Sequence, residues 1–144
     1  MKQAVCRRLF RSCKPNDTVR TGSIMADNES QEMYLETLLR IQKRGVNVRA
    51  VDIAAELGYS KPSVSRAVGI MKKNGYIVVR SDGVIELTEP GRAKAESVLS
   101  RHEVLTKAFE KIGLAFESAE ENACKVEHVI TQEAFDAIKK HFDL

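Results

Sequence analysis

Val48-Arg-Ala-Val-Asp-Ile-Ala-Ala-Glu-Leu57, Gly58-Tyr59-Ser60 and Lys61-Pro-Ser-Val-Ser-Arg-Ala-Val-Gly-Ile-Met-Lys-Lys73 follow one another without a break in the middle of the chain. Val51, Ala54 and Leu57, then Val64, Val68 and Met71, recur at helical spacing and give each half a short apolar face. Gly58 breaks the first helix, Ser60 caps the second, and Pro62 falls in the first turn, where its missing N–H costs least. Together they read as a helix-turn-helix. Ser60, Lys61, Pro62, Ser63, Ser65 and Arg66 crowd the amino end of the second helix, the part of a recognition helix that meets base edges, and Lys72 lies near its other end. The helix N-terminus and its small hydroxyls suit phosphates. Arg66 either reads guanine or holds a phosphate, and sequence does not separate the two. A helical pair used only for packing has the same periodicity.

The next residues favour the DNA reading. Tyr76-Ile-Val-Val79 and Val84-Ile-Glu-Leu87 are β-rich runs joined through Arg80-Ser-Asp-Gly83, and Asp82-Gly83 is a strong tight-turn signal. A hairpin after a helix-turn-helix makes a winged helix, with Arg80 at the wing tip facing the backbone or minor groove. Upstream, Met33, Tyr34, Leu38 and Ile41 predict an amphipathic helix from Ser30 to Arg44, ended by Gly45. Glu36 follows Met33 by three residues and shares its side of that helix; as an isolated pair, Met33 reads as core and Glu36 as solvated.

Downstream, Thr88 caps a long helix with Pro90 in its first turn, apolar at Val98, Leu99, Leu105, Phe109 and Ile112 and reaching Gly113. His102 lies midway along it. A further helical stretch runs from Ser118 to Ile130, and Thr131 caps a last helix, Gln132 to Phe142, striped by Phe135, Ile138 and Phe142. Two helices of this length do not bury both faces alone, so a twofold homodimer is expected, which also matches a palindromic double-stranded operator.

Composition limits the alternatives. In 144 residues, 43% hydrophobic and 30% charged, no apolar run approaches membrane-spanning length. Cys6, Cys13 and Cys124 are an odd set without regular spacing, which argues against a disulfide framework and for a cytoplasmic protein. Residues 43–80 carry eight Lys or Arg against Asp52 and Glu56, whereas residues 81–144 carry eight against thirteen acidic residues. A basic module is thus followed by an acidic one, as suits a polyanion-binding part joined to one that holds cations or a partner subunit. Residues 1–24 carry six Lys or Arg, breaker signals and no secretory apolar core; they read as a disordered extension, either preceding a native start at Met25 or forming a basic arm on DNA. The absence of H-E-x-x-H, a nucleophile elbow or a phosphate loop argues against an enzyme or a small organic substrate. The expected fold is mainly α with a small β-hairpin wing: a winged helix-turn-helix over 25–95, then a helical dimerisation and metal-binding domain over 96–144.

Asn122-Ala-Cys-Lys-Val-Glu-His-Val129 places Cys124, Glu127 and His128 at i, i+3 and i+4, so in a helix a thiol, a carboxylate and an imidazole share one face. These are three metal-ligand types in one turn. Cys124 also reads as a buried small hydrophobe, or as the oxidant-responsive thiol of a metal-independent winged-helix redox regulator.

Taken together, these segments resemble the diphtheria toxin repressor family of metal-dependent transcription regulators over nearly all of residues 29–142. Glu32-Met-Tyr-Leu35 is similar to the family's first-helix motif, Asp52-Ile-Ala-Ala-Glu-Leu57 with Ser63-Val-Ser65 to its helix-turn-helix, and Leu87-Thr88 with Gly91 to the exit from its wing. Glu121-Asn-Ala-Cys-Lys-Val-Glu-His128 is similar to its metal-binding helix. The resemblance implies a principal site at Met33, Cys124, Glu127 and His128, a second-site imidazole at His102, and, from the manganese-responsive members, a carboxylate ligand at Glu36. Glu120 stands where a histidine ligand is expected and Thr106 where a carboxylate is. Sulfur beside His and Glu prefers Fe(II) over Mn(II), with Co(II), Ni(II) and Zn(II) accepted in vitro. The implied activity is repression of metal-uptake genes by the Fe(II)- or Mn(II)-loaded dimer; the chain's end at Leu144 implies the short, two-domain form.

Overall fold

The computed structural model describes residues 23–144, with side chains described from residue 30 onward; the expectations for residues 1–22, with Cys6 and Cys13, lie outside that range. Among the described residues the elements are α1 (Ser23–Lys43), α2 (Ala50–Leu57), α3 (Lys61–Lys73), β1 (Ile77–Val79), β2 (Ile85–Leu87), α4 (Glu89–Lys111), α5 (Phe116–Val126) and α6 (Gln132–Phe142). They fall into two compact units that divide between Glu96 and Ser97, within α4.

The first unit is a winged helix. Gly58 takes a left-handed φ of 68° and closes α2, and the Ser60 side chain accepts the Ser63 N–H to open α3, with Pro62 in the first turn as expected. Strands β1 and β2 pair antiparallel with Ile77 opposite Leu87 and Val79 opposite Ile85. Gly83, at φ 83°, turns the wing, and the Asp82 carboxylate accepts the Val84 N–H at 3.1 Å. Ile85 N donates to Val48 O at 2.8 Å, which fastens the segment before α2 to the wing. Leu35, Leu38, Leu39, Ile53, Leu57, Val64, Met71, Ile77 and Ile85 are buried here. Burying each large aliphatic side chain contributes about 1.5–3 kcal/mol.

The start of α4 is tied to the wing. Thr88 N donates to Tyr76 O, Thr88 Oγ1 donates to Gly75 O at 2.6 Å, and Gly91 N donates back to Thr88 Oγ1. Gly91 packs so closely that a Cβ there would lie 1.9 Å from Tyr76 O.

In the second unit, Leu105, Ala123 and Phe135 from α4, α5 and α6 form a buried cluster, flanked by Val104, Phe109, Val126, Ile130 and Ile138. Gly113, at φ 106°, ends the turn after α4, and Thr131 caps α6 through Ala134 N. Two boundaries differ from expectation. Helix α1 begins at Ser23, because Met25, Ala26 and Glu29 are good helix formers even without apolar periodicity. Helix α5 stops at Val126, since Val126 O accepts both Val129 N and Ile130 N in a tight turn leading to the α6 cap. His128 therefore sits in that turn and not on a helix.

Candidate metal centre and nucleic-acid interface

The predicted DNA-facing residues all belong to the first unit, and Ser60, Lys61, Pro62, Ser63, Ser65, Arg66, Lys72 and Arg80 are all exposed. Among the described residues, none pairs with Arg66, Lys61 or Lys72. Arg80 differs: it forms ion pairs of 3.2 Å with Asp82 and with Glu86, so part of its charge is already met within the wing. The N-terminal amides of α3 and the Ser63 and Ser65 hydroxyls present donors to an anion at the same end.

Two predicted ligands lie on α1 in the same unit. Met33 is buried, and its Sδ lies 3.8 Å from the Tyr59 hydroxyl, which donates to it from the turn of the helix-turn-helix. The Tyr59 ring meets Tyr34 edge-on at 6.1 Å; burial, then the charge of Tyr59, pushes the Tyr34 hydroxyl above its ordinary pKa. Glu36 is completely buried, contrary to its solvated reading as an isolated residue. Arg40, one turn along, makes this tolerable, with Nε at 2.9 Å and one Nη at 2.6 Å from Glu36 Oε1.

The remaining ligands belong to the second unit, where three of them meet. Glu127, at the C-terminal cap of α5, is fully buried, and His102 Nδ1 on α4 lies 2.7 Å from its Oε2. His128 Nε2 is 3.3 Å from Glu127 Oε1, which is buried and accepts no hydrogen bond among the described residues. Burial pushes the Glu127 carboxyl up, but the hydrogen bond from His102 and the close approach of His128, with the charge of each, outweigh it and hold it below the ordinary value of 4.5. With its Nδ1–H given to Glu127, a neutral His102 keeps its lone pair on Nε2, the arrangement that orients imidazole ligands in metal sites. That Nε2 lies 3.8 Å from Glu120 Oε1. A cavity of about 460 Å³ beside His102 is lined by Glu103, Thr106, Lys107, Glu110, Phe116 and Glu120. Thr106 Oγ1 donates to His102 O at 2.8 Å and is engaged with its own helix.

Cys124 is buried on α5, and its sulfur is in a disulfide. Its role as a thiolate ligand therefore applies only to the reduced protein. The other donors fit a divalent cation: a buried carboxylate oxygen without a hydrogen-bond donor, beside two imidazoles, is completed by positive charge.

Three residues escaped sequence reading. Arg40 was one of many basic residues, and only the i, i+4 spacing to Glu36 signalled it. Glu120 read as a departure from a histidine pattern, yet its carboxylate faces His102. Arg101 pins the ligand turn, with its guanidinium at 3.4 Å from Glu127 O and 2.9 Å from Gln132 Oε1, and nothing in the sequence pointed to it.

Residues 28–84 match the family model of the iron dependent repressor N-terminal DNA binding domain, and residues 88–143 that of the iron dependent repressor metal binding and dimerisation domain. The chain is 36% identical over 106 residues to the iron-dependent repressor IdeR of Mycobacterium tuberculosis, covering 73% of this chain and 46% of that protein. It is 34% identical over 106 residues to the diphtheria toxin repressor of Corynebacterium diphtheriae, covering 73% and 47%. It thus spans about half the length of the curated relatives it matches. The crystal structure of T. acidophilum IdeR shares the fold, with a TM-score of 0.69 at 20% identity over 88% of this chain and 56% of that one.

Proposed function

Because the chain belongs to the iron-dependent repressor family, we propose that it is a metal-dependent transcription regulator that binds double-stranded DNA as a homodimer when loaded with Fe(II) or Mn(II). The observation that carries this reading is the buried Glu127 carboxylate, with His102 and His128 against it and Oε1 lacking a donor. Structural ion pairs leave few such oxygens unsatisfied, whereas a ligand set does so in the absence of its ion. We assign Glu127, His128, His102 and reduced Cys124, with Met33 and Glu36 of α1, as the residues that hold the metal, and the exposed amino end of α3 as the part that reads DNA.

Within this assignment each side chain has a definite task. Glu127 fixes the His102 tautomer by accepting from Nδ1, Arg101 holds the turn that presents His128, and Tyr59 links Met33 to the joint preceding the recognition helix. A divalent ion held by these residues would supply the positive charge the buried carboxylates require and, by favouring the DNA-competent conformations, would lower the cost of binding before DNA arrives. Repression of metal-uptake genes is the regulatory output we propose.

Direct metal titration tests the site. The reduced full chain should bind one or two Mn(II) ions, and His128→Ala should weaken binding by on the order of tenfold to a hundredfold, the usual scale for losing a ligand or its support. Unchanged affinity in His128→Ala contradicts the assignment.

A further inference from the structure

A carboxylate with no solvent exposure is stable only with a cation beside it. On α1 that carboxylate is Glu36, whose side chain has 0% exposure, and the cation is Arg40, one helical turn later and 17% exposed. Nε and one Nη of Arg40 converge on Oε1 at 2.9 and 2.6 Å, the short geometry of a charge-assisted pair. The order, acid first and base four residues on, is also the one the helix favours. The guanidinium thus supplies at Glu36 the positive charge that a metal ion would supply if this carboxylate were its ligand.

We infer that Arg40 is a built-in competitor for the metal: it holds the Glu36 carboxylate in the unloaded protein, and loading exchanges guanidinium contact for metal contact. This rests on the assignment of Glu36 as a ligand. Two consequences separate it from a merely structural ion pair. Removing Arg40 takes one cation away from the buried carboxylate, which should then hold the metal more strongly, so affinity rises as the unloaded fold weakens. Arg40 would therefore set the metal concentration at which the protein switches. The same α1 face carries Met33, so the exchange takes place beside the thioether that Tyr59 holds.

The experiment measures Mn(II) affinity by competition with a fluorescent chelator, together with melting temperature with and without Mn(II), on the reduced full chain. Arg40→Gln should bind Mn(II) on the order of tenfold more tightly than the parent and melt lower without metal, so that Mn(II) raises its melting temperature further. Arg40→Lys, which keeps the charge but loses the fork, should fall between the two. Glu36→Gln should weaken Mn(II) binding, and Arg40→Gln combined with Glu36→Gln should melt higher without metal than Arg40→Gln alone. If Glu36→Gln weakens binding while Arg40→Gln leaves it equal or weaker, the competitor role is overturned and the ligand assignment stands. If Glu36→Gln leaves Mn(II) affinity unchanged, the ligand assignment of Glu36 fails, and the inference with it.

Discussion

Gly91→Ala should be the most damaging single-methyl addition in the winged helix. A Cβ at position 91 would lie 1.9 Å from Tyr76 O and 2.8 Å from Tyr76 C, both backbone atoms that no side-chain rotation can move aside. The chain must therefore part by more than an ångström at the junction of β1 and α4. Overpacking of this kind costs about 1–3 kcal/mol. Thr88 N to Tyr76 O, Thr88 Oγ1 to Gly75 O and Gly91 N to Thr88 Oγ1 span the same junction, and each hydrogen bond lost adds about 0.5–1.5 kcal/mol. Loss of two of them brings the expected destabilisation to about 2–6 kcal/mol, or roughly 1–3 M in urea midpoint at a slope of about 2 kcal/mol/M. Gly69→Ala is the matched control: this helical glycine has nothing within 4 Å of its ideal Cβ, so alanine there should stabilise by about 0.5–1 kcal/mol. Urea unfolding of both variants reads the two signs. A Gly91→Ala loss below about 1 kcal/mol would refute the argument that the wing is locked to α4 by close backbone approach.

Two further predictions come from individual side chains. Folding lowers the Glu127 carboxyl below its ordinary value of 4.5, so the fold favours the ionised form; that stabilisation should be complete above the unfolded value and disappear as the pH falls through the folded one. Glu127→Gln should flatten this acid limb of stability against pH for the metal-free protein, and an unaltered limb would show that Glu127 is not its source. Arg66 is exposed and has no ion pair among the described residues, whereas Arg80 is shared with Asp82 and Glu86, so Arg66→Ala should reduce the slope of log affinity against log salt by about 1 and Arg80→Ala by less. A reversed order, measured by titrating duplex DNA at several salt concentrations, would remove the recognition helix from the leading role.

The winged helix was legible because its punctuation is local. Gly58, Ser60 and Pro62 fix the joint before α3, and Asp82-Gly83 fixes the wing turn, each through backbone chemistry confined to a few residues. The segment from Cys124 to His128 could be singled out by residue type but not by geometry. Helical periodicity carries through Glu127 and His128, while the actual end of α5 depends on Val126 O accepting two N–H groups, which spacing does not encode. Burial of Glu36 was hidden for a related reason: a carboxylate in a helix reads as solvated until the arginine one turn away is known to close on it. The Cys124 disulfide was not signalled by an odd cysteine count, and it makes the redox state a condition of every metal experiment.

The central claim is that metal occupancy controls DNA binding. Its most direct test is the affinity of the reduced chain for a duplex selected by the loaded protein from random sequence, measured anaerobically with Fe(II), with Mn(II) and with chelator. Tight binding with either ion, lost under chelator and lost in His128→Ala even with metal, is the predicted result. Equal binding under all three conditions, unchanged by His128→Ala, would contradict it.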